Sequence, residues 1–150
     1  MKIILLSLLL LFIGLVAQAQ TMMMDTPPKE ADVIIIRTPD NGQDALVKLS
    51  RVLTAQGYSI ATLDRKLITL VTKPKAFSAG APSTLTIRAH TSAGPESLIT
   101  IEGDYPISGK QTTGKANYST ARQGVSRVAF DQLQKAAAAY PGGQLLYGKD

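Results

Sequence analysis

The sequence contains no cysteine, and that one absence removes several chemistries at once. A disulfide framework, a thiolate nucleophile, a cysteine metal site and a lipid-bearing cysteine are all excluded. Tryptophan is also missing and histidine occurs once, as His90, so any Ser-His-Asp constellation would have to use that residue. Phosphate motifs are absent too: Gly109 and Gly114 form neither a P-loop nor a dinucleotide fingerprint, and no serine sits in a G-x-S-x-G elbow. Long hydrophobic runs are confined to the first residues.

That first run reads as an export signal. Lys2 supplies a positive n-region, Ile3 to Val16 an apolar stretch of about 14 residues, and Ala17-Gln18-Ala19 a small-x-small cleavage site. The stretch is shorter than the roughly 20 residues that cross a bilayer as a helix, so removal is expected, not anchoring. Residues 20–150 then form the exported chain, with periplasmic or extracellular localisation expected. Without Lys2 the balance is 15 basic against 11 acidic side chains, a mild excess that requires no polyanionic partner. Residues 20–30, which include Met22-Met23-Met24 and Pro27-Pro28, read as a flexible leader, residues 31–140 as a single domain and residues 141–150 as a tail.

Within the domain, Ala31 to Thr38 is a β-branched strand covered on at least one face. Asp40 or Asn41 caps a helix, with Gln43 three residues after Asp40 at capping-box spacing. Leu46, Leu49, Val52 and Leu53 share its apolar face, and Gly57 stops it. Tyr58 to Leu63 and Leu67 to Lys73 make a hairpin around Asp64-Arg65-Lys66. Ala76 to Ser83 reads as a loop or frayed connection. Thr84 to Thr91 then alternates, with Leu85, Ile87 and Ala89 inward and Arg88 and His90 outward, and pairs with Leu98 to Tyr105. Pro106 to Tyr118 reads as an excursion at the sheet edge. A second helix starts between Ser119 and Ser126 and runs to about Tyr140, with Val125, Ala129, Leu133 and Ala136 on one face.

The order strand, helix, four strands, helix predicts an α+β fold: a two-layer sandwich whose mostly antiparallel sheet of about five strands carries two helices on one face. The run of Leu49, Val52 or Leu53, Gly57, Tyr58 and Ile60, followed by Asp64 and Leu67-Ile68-Thr69, resembles the βαββ opening of small exported bacterial domains with a TATA-binding-protein-like sheet. These include BamC-like lipoprotein domains and uncharacterised secreted domains of Bacteroidota. The resemblance implies a non-enzymatic envelope module. It carries over no catalytic residues, and the missing cysteine separates this chain from the lipoproteins.

Remaining polar residues are read against solvated alternatives. His90 lies beside Arg88 on the wet face of its strand, and nothing nearby supplies convergent metal ligands. Glu102 and Asp104 share a strand face, as acid-base catalysis or a hard cation would need, but as a solvated strand would also show. Arg65, Lys66, Lys73, Arg88, His90 and Lys110 form a candidate surface for a protein or anionic envelope partner. With seven aromatics in residues 20–150 and no aromatic-basic stacking motif, nucleic acid is not expected as a partner. No cofactor, metal or catalytic residue is expected. The leading expectation is a secreted binding module that captures a partner on its sheet face or edge. The alternatives are a small-ligand carrier with a pocket between sheet and helices, lined by Tyr58, Phe130 and Tyr140, and a hydrolase built on His90, Glu102 and Asp104.

Overall fold

A computed structural model describes residues 23–94 and 96–150; the expected signal segment lies outside them. The fold is α+β, with two helices and an antiparallel sheet of eight strands among the described residues, not about five. The sheet order is β2-β3-β5-β6-β1-β8, with β4 beside β5 and β7 beside β6; the strands are β1 Val33–Thr38, β2 Ile60–Asp64, β3 Thr69–Thr72, β4 Lys75–Ser78, β5 Pro82–Thr91, β6 Ser97–Pro106, β7 Thr113–Lys115 and β8 Gln144–Gly148.

The three strands that the sequence reading does not contain are all short, and two of them, β4 and β7, share one edge of a long neighbour with another strand. Proline 74 has no N–H to give a ladder, so the chain breaks there and resumes as β4. As a result β3 pairs with the His90 end of β5 and β4 with the Pro82 end. On β6 the same division holds: β1 pairs with Ser97 to Ile101 and β7 with Asp104 to Pro106. Within the residues expected to be loop and edge excursion, 76–78 and 113–115 are thus short strand segments, too short and too polar to alternate visibly, while 79–81 and 107–112 remain loop. The expected tail is also a strand, since β8 pairs with β1 in the register Ile35↔Leu146.

Helix α1 spans Gly42–Ala55 and α2 spans Val125–Ala138. Asn41, not Asp40, caps α1: its Oδ1 accepts from Asp44 N at 3.0 Å, so Asp44 takes the place expected for Gln43. Gly57 ends the helix with φ 81°, Gly57 N donating to Thr54 O and Tyr58 N to Leu53 O, the two bonds of a Schellman motif.

Both helices feed one core. Leu46, Leu49 and Leu53 of α1 and Ala129, Phe130 and Leu133 of α2 join Ile34, Ile36, Ile87, Ile99 and Ile101 of the sheet in a single buried cluster. Each fully buried leucine or isoleucine contributes about 1.5–3 kcal/mol, so this cluster is the main source of stability. Strand β1 is buried on its other face as well: Val33 and Ile35 form a separate small cluster with Leu146 and Leu98. Successive side chains alternate across a strand, so Val33 and Ile35 lie on the sheet face opposite the two helices.

Candidate functional site

The sheet face away from α1 and α2 carries two confluent grooves. One, of about 390 Å³, is lined by Met23, Val33, Ile35, His90, Thr100, Glu102 and Asp150. The other, of about 570 Å³, takes in Thr69, Val71, Arg88 and Lys115 beside the same His90, Glu102 and Asp150. Antiparallel register makes this arrangement. Arg88 stands opposite Glu102, His90 opposite Thr100, and Ile35 opposite Thr100 on the other side of β6. One direction along the face is therefore apolar and the other charged.

The charged side is an ion-pair network. Arg88 Nη2 lies 2.9 Å from Asp104 Oδ2 and 3.7 Å from Glu102 Oε2, while Lys115 Nζ lies 3.4 Å from Glu102 Oε1 and 3.3 Å from Asp150 Oδ2. Two cations thus face three carboxylates. Burial pulls the Lys115 ammonium down, but Asp150 and Glu102 outweigh it and hold its pKa above the ordinary lysine value. Glu102 and Asp104 are only 20% and 14% exposed, so their pairing with Arg88 is partly screened from water.

This geometry bears on chemistry. His90 and Glu102 do share a groove, but Glu102 is engaged by Arg88 and Lys115, and Asp104 is held by Arg88 outside the groove linings. Neither carboxylate makes a hydrogen bond to the His90 imidazole among the described residues. Among the described residues no group of three His, Asp or Glu side chains converges as a metal ion requires.

Of the six candidate surface residues, Arg88 and His90 are brought together in one groove. Arg65 and Lys66 occupy the β2–β3 turn, next to Thr69 at the His90 end of β5. Lys73 follows β3, its N–H donating to Ser59 O. Lys110 sits in the β6–β7 loop beyond Pro106, at the opposite end of the sheet. Lys75 is occupied elsewhere: its Nζ donates to Gln56 O at the end of α1 and stands 4.3 Å from the centre of the Tyr58 ring.

The sequence reading missed the apolar half of the face. Val33 and Ile35 belong to an uninterrupted V-I-I-I run, which signals a strand covered on both sides, and that was the available clue. Asp150 and Met23 gave none, because each lies in a segment that the sequence alone reads as tail or leader. No helix of the described residues is long and apolar enough to cross a membrane. No family model matches this chain, and no curated protein matches its sequence.

Proposed function

We propose that the protein is an exported, non-enzymatic binding module of the bacterial envelope, periplasmic or extracellular, that captures a protein partner on its helix-free sheet face. The observation that carries this reading is the pair of confluent grooves, apolar at Val33 and Ile35 and ion-paired at Arg88, Glu102 and Lys115. A face with an apolar centre beside a charged margin has the composition of a protein interface. Arg65 and Lys66 at the rim extend the charged margin toward an acidic partner or an anionic envelope surface. We read the architecture as a two-layer sandwich, and the helix-to-hairpin opening as that of the TATA-binding-protein-like exported domains, including those of BamC-like type.

The carrier reading has less support, because Tyr58, Phe130 and Tyr140 are 4%, 0% and 3% exposed and fill the space between sheet and helices. The test is affinity capture from an envelope extract with residues 20–150, run beside an Arg88→Glu variant. A protein recovered by the wild type and lost with the variant supports the reading. Identical recoveries, or none, sink it.

A further inference from the structure

Strand β8 forms one edge of the sheet, and this chain has already laid a residue along it. Met24 N donates to Tyr147 O at 3.0 Å and Tyr147 N donates to Met24 O at 2.8 Å, one complete antiparallel rung. Leu145, two residues earlier in β8, points its N–H and C=O the same way. Its register partner would be Thr26, but Pro27 and Pro28 follow at once, and among the described residues no backbone bond joins Leu145 to that segment. Among the described residues one rung is filled and the next has no backbone partner.

Side chains complete the picture. Met24 stands beside Tyr147, whose ring is part of the main core, so Met23 projects to the opposite sheet face. There it lines the groove with Val33 and Ile35. Met23 and Met24 remain 41% and 44% exposed, a shallow seat for two apolar residues. Methionine is unbranched and adapts to irregular apolar surface, which suits a groove floored by two β-branched residues.

We infer that the β8 edge and the Val33–Ile35 groove together form a receptor for an extended peptide segment bearing a methionine or leucine, with Met23-Met24 as its resident occupant. The partner's segment pairs antiparallel at both Tyr147 and Leu145, doubling the backbone bonds that the resident makes, and seats its apolar side chain where Met23 lies. The inference rests on the partner-capture reading and supplies its mode: strand addition at one edge with specificity from one groove.

The test uses the ¹⁵N-labelled chain of residues 20–150, a Met24→Pro variant that lacks the N–H bonded to Tyr147, and a Met23→Ser variant that keeps the rung. The probe is an N-acetylated, C-amidated peptide, Thr-Met-Met-Met-Asp-Thr, which copies residues 21–26. Amide exchange at Tyr147 is expected to accelerate about tenfold or more in Met24→Pro. In that variant the peptide should shift Val33, Ile35, Leu145 and Tyr147 saturably, with binding at least about tenfold weaker in wild type, where the resident must first leave. A peptide with aspartate for its central methionine should shift none of them. Met23→Ser should bind the peptide better than wild type while leaving Tyr147 protected. Unchanged exchange at Tyr147, or peptide shifts scattered outside β8 and the groove, overturns the inference. Concentration-dependent dimerisation of peptide-free Met24→Pro through the same amides also overturns it, by assigning the edge to a second copy. Peptide binding without any captured protein would instead refute the partner-capture reading and leave the receptor standing.

Discussion

Tyr140 Oη donates a 2.6 Å hydrogen bond to Asp40 Oδ2, tying the chain just beyond α2 to the loop that leads into α1. Asp40 Oδ2 also accepts from Lys48 Nζ at 2.8 Å and from Thr38 Oγ1 at 3.1 Å, and Lys48 Nζ stands 5.0 Å from the centre of the Tyr140 ring. Three side chains, from β1, α1 and the chain just beyond α2, thus meet on one carboxylate. A hydrogen bond to a charged group is worth about 1.5–3 kcal/mol, so Tyr140→Phe should lower stability by an amount in that range. Asp40→Ala should cost more, because it leaves the buried phenol without its acceptor. Urea unfolding of the two variants checks the order.

The same cluster sets a pH dependence at both ends. Hydrogen bonding from Lys48, then from Tyr140, holds the Asp40 carboxyl below its ordinary value. Its contribution is present above the ordinary aspartate value near 3.9 and is lost as pH falls through the lower folded value. Burial, then the bond to Asp40, raises the Tyr140 phenol above its ordinary value. That contribution is complete below about pH 10 and is lost as pH rises beyond it. Thermal midpoints measured from pH 2 to 11 should show Asp40→Asn with a flatter acid limb and Tyr140→Phe with a flatter alkaline limb. Curves parallel to wild type at both ends would refute this.

Ile68 carries φ 53°, in the left-handed region that a β-branched residue rarely enters. The turn imposes it: Asp64 Oδ1 accepts from Lys66 N and Leu67 N, and the chain must then reverse to pair Thr69 with Asp64. In return the Ile68 side chain packs against the core while Leu67 is left 73% exposed. Ile68→Ala removes packing and keeps the strain; Ile68→Gly removes both. Glycine should therefore be the milder change by about 1 kcal/mol, the reverse of its usual rank against alanine. If Ile68→Gly melts below Ile68→Ala, the turn is not strained.

Partner capture and stability should separate at Arg88. The Arg88 side chain is 48% exposed while its partners Glu102 and Asp104 are 20% and 14% exposed, so Arg88→Ala should cost little more than the roughly 0–1 kcal/mol of a fully exposed pair. Partner recovery should nonetheless fall, because a rim charge that costs the fold little can still govern association. The relevant comparison is urea midpoint against captured protein for the same preparation. Loss of both together would mark Arg88 as a structural residue.

Local rules made much of this fold legible. The Asn41 cap, the Gly57 stop, the Leu46-Leu49-Leu53 stripe and the alternation of Leu85, Ile87 and Ala89 against Arg88 and His90 each declare themselves within a few residues. What the sequence hides is pairing between distant segments. Three residues, Thr113 to Lys115, become a strand only because β6 extends past the end of β1, and Gln144 to Gly148 only because β1 has a second edge to fill. The site has the same character. Val33, His90, Glu102 and Asp150 line one groove through register alone, and no spacing rule joins residues so far apart.

Gly103 offers a direct test of how tightly the core face of the sheet is filled. It lies on the core face of β6, opposite Ile87, and a Cβ there would stand 2.8 Å from Leu85 Cδ1, 3.3 Å from Ala116 Cβ and 3.6 Å from Leu133 Cδ2. Leu85 and Leu133 are both fully buried, so neither has free space to retreat into. Alanine is ordinarily the better strand residue, yet overpacking a filled core costs about 1–3 kcal/mol, and Gly103→Ala should be destabilised within that range. Shortening the obstacle should restore part of the loss: Gly103→Ala with Leu85→Val should be more stable than the sum of the single changes predicts. Additive losses would mean that the Leu85 side chain is not what a Cβ at position 103 strains against.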